Sequence, residues 1–222
     1  MKGFYVLLAA VALGGGGWLV YSVRHGSEGP PHLGGSGPAV PATDNFRGFT
    51  LGSDSAPIEI TEYSDFECPW CAAFAAVQMP VVRQQLIAAG KARWRFREFP
   101  LSSHKYSRLA ALAAQCAGEQ GKFWEMHDQL FTHHDWAQTG KDPSGVFHGF
   151  AKDIGLDPDK YDACVQSQRY AGRIEASYQE GEARDVQATP TFFVDGRKFR
   201  GNPTSDAFKA LVDSLITAHR KR

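Results

Sequence analysis

Tyr63-Ser64-Asp65-Phe66-Glu67-Cys68-Pro69-Trp70-Cys71 joins a β-rich run to the start of a helix. The run ahead of it, Pro57-Ile58-Glu59-Ile60-Thr61-Glu62-Tyr63-Ser64, holds β-branched and aromatic residues and predicts a strand. Asp65-Phe66-Glu67 reads as a turn. Pro69 suits the first position of a helix, where no N–H is needed. That helix is expected to run from Cys68 to about Ala89, with a kink at Pro80 and a stop at Gly90. Ala92-Arg93-Trp94-Arg95-Phe96-Arg97-Glu98 alternates polar and apolar, as a strand does. The whole is a βαβ candidate.

Cys68 and Cys71 sit at the helix start with two residues between them. There, backbone N–H groups and the helix dipole stabilise negative charge, so the first thiol is expected to ionise near neutral pH. The second lies one turn further in and is shielded. Such a pair closes a small reducible ring, and exchange passes through a mixed disulfide on the first sulfur. Two other readings stay open. The pair could be half of a zinc site, but structural zinc needs four ligands, commonly with a second close pair. Cys116 and Cys164 stand apart, and the nearest histidine cluster is His127, His133 and His134. A purely structural disulfide is the other.

Downstream the pattern turns helical over about 101–185. Ser102 or Ser103 can cap a helix bearing Leu109, Leu112 and Cys116, and Gly118 and Gly121 loosen its end. Phe123 to Phe131 reads as a helix with Phe123, Met126, His127 and Leu130 on one face, its aromatics expected in the core and His133-His134 at a solvated end. Asp157-Pro158 opens a short helix carrying Cys164. Another runs from about Gln168 to Arg184. The chain then returns to β: Thr191-Phe192-Phe193-Val194, a turn at Asp195-Gly196, and Lys198-Phe199-Arg200. Ser205 can cap a last helix with Ala207, Phe208, Leu211, Leu215 and Ile216 inward. The expected class is α/β, a thioredoxin-like frame with an inserted helical domain.

The segment from Tyr63 to Cys71 resembles the active-site segment of the DsbA-like (DsbA/BdbD-type) thiol:disulfide oxidoreductases. Thr189-Pro190-Thr191-Phe192-Phe193-Val194-Asp195-Gly196 resembles that family's cis-proline loop and following hairpin. The resemblance covers about 47–218. It implies that Pro190 is cis and packs beside the redox pair, with Thr189 before it pairing to substrate backbone like an added strand. It also implies a role for Glu62, at the place of the family's glutamate below the second cysteine. A buried carboxylate there would have a raised pKa and could move protons to and from Cys71. The alternative is a Glu62 that faces solvent or pairs with Arg95 or Arg97. In several relatives two cysteines of the insert are bonded, which implies a Cys116–Cys164 disulfide. If formed, its loop spans a separation of 48 and stabilises by about 4 kcal/mol in the chain-entropy model. Two buried free thiols are the alternative. The chain departs from DsbA at Trp70, where DsbA has histidine. An indole carries no charge, so a weaker oxidant than DsbA is expected, still more oxidising than a thioredoxin. Thr189 replaces DsbA's valine and is closer to BdbD-type relatives and isomerases.

Ahead of the frame, residues 3–23 hold no charge and are long enough for a membrane span of about 20 residues. They are expected to be a signal anchor; cleavage near Ala10-Val11-Ala12 is the alternative. Residues 24–44 are rich in Gly, Pro and Ser and read as a flexible tether to a domain over 45–222. The 24 Lys/Arg balance 24 Asp/Glu, which argues against nucleic-acid binding. The expected activity is disulfide formation in secreted polypeptides, in the periplasm or outside the cytoplasm. Re-oxidation by a DsbB-like or VKOR-like membrane protein is implied by the resemblance, and no bound cofactor is required. A disulfide isomerase or a reductase of the same fold, and a non-catalytic metal-binding module, remain as rivals.

Overall fold

A computed structural model describes residues 46–221; the expected anchor (1–23) and tether (24–44) lie outside the described residues. Strands β1 (Phe49–Leu51), β2 (Ile58–Ser64), β3 (Ala92–Glu98), β4 (Thr191–Val194) and β5 (Arg197–Arg200) form one sheet in the order β1-β3-β2-β4-β5. β2 and β3 pair in parallel, with Glu62 opposite Phe96 and Ser64 opposite Glu98. Every other pairing is antiparallel. Helix α1 (Pro69–Val77) and the short α2 (Met79–Val82) make the crossover between β2 and β3.

The expected long helix is interrupted rather than merely kinked. Pro80 has no N–H to donate, and α1 closes at Gln78, whose N–H donates to the Phe74 carbonyl. Beyond α2 the chain makes a π-type turn over Arg83–Ile87, and Gly90, at φ +67°, ends it in the left-handed region. On the other edge, Asp195 and Gly196 both take positive φ, which suits the tight turn between β4 and β5.

One face of the sheet packs Ile58, Ile60, Trp94 and Phe192 against Phe74 of α1 and against Phe208, Val212 and Leu215 of α8 (Ser205–His219). Each such side chain contributes about 1.5–3 kcal/mol on burial. The cap of α8 is Thr204, not Ser205: the Thr204 hydroxyl accepts the Ala207 N–H at 3.2 Å. Ala207 is accordingly exposed, and Val212 takes its place in the core. The opposite face of the sheet packs Tyr63, Phe99, Val186 and Phe193.

Between β3 and β4 lie α3 (Ser107–Glu119), α4 (Phe123–Thr132), a 3-10 turn (His134–Gln138), α5 (Ser144–Asp153), α6 (Pro158–Ser167) and α7 (Ala171–Ala183). The first of these starts well after Ser102 and Ser103. Its N-terminus is held from a distance, because Glu67 Oε2 accepts the Tyr106 N–H at 2.6 Å. Gln168 does not start α7; it sits in the left-handed conformation that closes α6. Cys116 of α3 and Cys164 of α6 form a disulfide. Phe96, Phe123, Trp124, His127 and Phe131 make an aromatic cluster that also takes in Phe66 of the turn before Cys68. The helical block thereby grips that turn.

Candidate active site

Cys68 is the residue at which strand-like backbone ends and α1 begins, with φ −77° and ψ 121°, and Pro69 occupies the first helical position. The Cys68 N–H donates to the Asp65 carbonyl at 3.0 Å, which fixes the turn. Cys68 and Cys71 are both free thiols in this structure. Cys68 keeps 3% of its surface and Cys71 none, so the first sulfur is the one an incoming group can reach. Pro69 and Trp70 lie outward, and Trp70 is 67% exposed with its carbonyl held by the Asn202 side chain at 3.1 Å.

The two sulfurs ionise very differently. The Cys71 thiol, hydrogen-bonded to Cys68, draws the Cys68 pKa down to about 6, with help from the backbone N–H groups of Cys71 and Trp70 and against the effect of burial. Burial pushes Cys71 well above the ordinary thiol range, and the charges of Cys68 and Glu62 add to that. The helix start therefore holds one thiolate and one thiol at neutral pH.

The Thr189–Pro190 peptide bond is cis. It brings Thr189 against the redox pair, and the Cys68 thiol donates to the Thr189 carbonyl at 3.5 Å. The Thr189 side chain is buried beside Cys68 and helps to lower the Cys68 pKa. Glu62 neither faces solvent nor pairs with an arginine. It is 3% exposed and accepts the Trp94 indole N–H at 3.0 Å. Arg95 bonds to Glu59 instead, and Arg97 to Glu180. Burial raises the Glu62 pKa to about 7. A carboxyl raised in the folded state contributes stability that is complete below its ordinary pKa of 4.5 and is lost as pH rises through 7. Ionised Glu62 thus costs about 3 kcal/mol at alkaline pH. Glu62→Gln is expected to stabilise the oxidised protein by up to that amount at pH above about 8 and to leave it nearly unchanged at pH about 4.5. Denaturant unfolding at the two pH values checks it.

Two histidines of the insert also reach this region. His104 Nδ1 lies 2.7 Å from Asp65 Oδ2. His134, expected at a solvated helix end, donates through Nε2 to the Phe66 carbonyl at 3.0 Å. Neither was legible from spacing, because each depends on the insert folding back onto the turn. Among the described residues no group of three or more His, Cys, Asp or Glu is arranged to hold a metal ion. No helix among them is long and apolar enough to cross a membrane.

A model of the thioredoxin family matches residues 44–214. The chain belongs to the thioredoxin family. Among solved structures of thioredoxin-fold proteins, oxidised BdbD from Bacillus subtilis is 25% identical, with a TM-score of 0.65 over 76% of this chain and 92% of BdbD. Alpha-DsbA1 from Wolbachia pipientis gives a TM-score of 0.70 at 22% identity, over 79% of this chain and 93% of that one. The expected fold and the expected class, a DsbA/BdbD-type thiol–disulfide oxidoreductase, both stand on these matches. A curated relative named Na(+)/H(+) antiporter NhaA 3, from Salinispora tropica, is 37% identical over 186 residues, covering 83% of this chain and 26% of that protein. Another, Na(+)/H(+) antiporter NhaA 1 from Mycolicibacterium gilvum, is 31% identical over 204 residues, covering 88% of this thioredoxin-family chain and 31% of its own length. The chain thus spans between a quarter and a third of the curated relatives it matches.

Proposed function

We infer that this protein oxidises thiol pairs in polypeptides outside the cytoplasm, through a disulfide between Cys68 and Cys71. The observation that carries the reading is the placement of the pair. Cys68 stands at the start of α1 with its sulfur 3.5 Å from the Thr189 carbonyl beside cis Pro190, and Cys71 is wholly buried behind it. That placement splits the two sulfurs, drawing Cys68 down to about 6 and pushing Cys71 far up. A substrate thiolate attacks Cys68 Sγ of the oxidised pair. The Cys68–Cys71 bond breaks, and a mixed disulfide forms between substrate and Cys68. Cys71 leaves as a thiolate and takes a proton; Glu62 is the nearby acid whose pKa suits that transfer. A second substrate thiolate then attacks the substrate sulfur of the mixed disulfide, and Cys68 leaves as a thiolate. Two electrons have passed from substrate to enzyme.

Direction follows from the same split. A group that stabilises its thiolate stabilises the reduced pair, so the disulfide form is the reactive, oxidising one. Thr189 and the cis-proline Pro190 offer the backbone edge against which a substrate strand would lie. The resemblance to DsbA/BdbD-type proteins favours a site in the periplasm or its equivalent, an anchor at residues 3–23, and a DsbB-like or VKOR-like membrane protein as re-oxidant. The Cys116–Cys164 bond fits an oxidising compartment. The antiporter names are not carried over, because this chain covers only 26% and 31% of those relatives' lengths.

Equilibration with glutathione buffers tests the direction. The expected potential lies well above the roughly −270 mV of thioredoxin and below the roughly −120 mV of DsbA. A value at or under that of thioredoxin would make the protein a reductase.

A further inference from the structure

Cys68-Pro69-Trp70-Cys71 lacks a charged residue between its cysteines, yet the turn that carries Cys68 is not without a titratable neighbour. Asp65, three residues before Cys68, has a fully buried carboxylate. Its Oδ1 accepts the Glu67 N–H at 2.8 Å, and its Oδ2 accepts the Leu101 N–H at 2.8 Å and meets His104 Nδ1 at 2.7 Å. The same residue's carbonyl accepts the Cys68 N–H at 3.0 Å. Glu67 clamps the loop a second time by accepting the Tyr106 N–H at 2.6 Å. The loop after β3 is thus tied at three points to the turn of the redox pair, and the tie that is not backbone is an imidazole.

We propose that His104, oriented by Asp65, is a positioning residue that sets a positive charge against the turn that carries the Cys68 thiolate. A carboxylate can only accept, so Asp65 fixes the proton on Nδ1 and leaves Nε2 as the nitrogen that titrates. The His104 side chain is 22% exposed, enough to exchange that proton with solvent. The hydrogen bond that His104 donates to Asp65 leads the effects that raise the His104 pKa, and the charges of Asp65, Glu67 and Cys68 act in the same direction. The charged or titratable groups around it are Asp65 and Glu67 on the turn, Cys68 at the helix start, Lys105 next in the chain, and His134 on the 3-10 turn. Of these, Lys105 and protonated His134 alone would oppose the imidazolium.

This inference rests on thiolate chemistry at Cys68, but its test does not require oxidase activity. His104→Gln keeps a donor for Asp65 and removes the charge; His104→Lys keeps the charge. Thiolate absorbance of the reduced proteins, followed against pH, is expected to show the Cys68 midpoint higher by ~0.3–0.5 pH unit in His104→Gln and near wild type in His104→Lys. No change in His104→Gln, or an equal change in both variants, overturns the proposal, the second result marking a purely structural role. Where either variant does not fold, NMR titration of His104 in the wild-type protein decides. Coupling is reciprocal, so its midpoint must lie higher in the reduced than in the oxidised protein. Equal midpoints overturn the proposal. A protein that passes this test and fails to oxidise substrates would count against the proposed function alone.

Discussion

Replacing Cys68 with serine is expected to reduce the oxidation of an unfolded, cysteine-containing protein to the uncatalysed rate. A hydroxyl in that position cannot form the disulfide that the substrate attacks, and no other free thiol among the described residues is accessible: Cys71 is fully buried, and Cys116 and Cys164 are bonded to each other. Cys71→Ser has a different expected outcome. Cys68 remains, so the variant can be trapped as a stable mixed disulfide with substrate, since no second thiol displaces it from within. Refolding of a reduced model protein, with gel analysis of trapped adducts, reads both. Equal rates for wild type and Cys68→Ser would remove the oxidase claim, whatever the fold.

The second large effect is on stability. The double substitution Cys116→Ala and Cys164→Ala is expected to lower the unfolding free energy by about 4 kcal/mol, because the bond closes a separation of 48 residues in the unfolded chain. For a domain of this size that corresponds to a fall in Tm of about 10 °C. The two cysteines tie α3 to α6, away from the turn at 65–68, so the oxidation rate per folded molecule should persist. Denaturant and thermal unfolding, paired with the refolding assay, separate the two consequences. A loss under about 1 kcal/mol would mean that the bond contributes little to holding the insert together.

The parts of the frame that were legible are those whose signals are local. Pro69 after Cys68 and the positive-φ pair Asp195-Gly196 mark their boundaries by backbone chemistry alone. The alternation in Ala92–Glu98 gives β3 to the residue. What escaped depends on distant partners. β1 is three residues long, too short for a periodicity; Phe49 there stacks on Phe123 of the insert, with ring centroids 3.7 Å apart. α5 did carry a signal, since Phe147, Phe150 and Ala151 recur at helical spacing and are all buried, but it follows a Gly- and Pro-containing stretch that reads as loop. Ser102 and Ser103 look like caps and point to an earlier start for α3 than Ser107. In the folded chain Asp65 and Glu67 take up the amides of Leu101 and Tyr106 and hold the intervening residues as a loop. The same two acids explain why His104 was invisible in the sequence: its importance comes from a carboxylate 39 residues earlier.

The site divides along the same line. Cys68, Cys71, Thr189 and Pro190 could be named from motifs, whereas the environment that sets their ionisation could not. Trp94 is an ordinary strand residue by pattern, and its indole is what meets the buried Glu62 carboxyl. Trp70 carries no thiolate-stabilising charge. What lowers the Cys68 pKa in the folded protein is the bond from Cys71, with the helix-start amides.

The most direct test of the account is the ionisation of the reduced protein, read by thiolate absorbance and by the rate of alkylation as pH is varied. One thiol should titrate with a midpoint of about 6, and a second should stay protonated well beyond the ordinary thiol range. Because a depressed pKa contributes stability that is complete above the ordinary thiol value of about 9 and is lost as pH falls through 6, the stability of the reduced protein relative to the oxidised one should decline as pH drops from about 9 to about 6. A single transition near 8.5–9, the value of an unperturbed cysteine, would contradict the account.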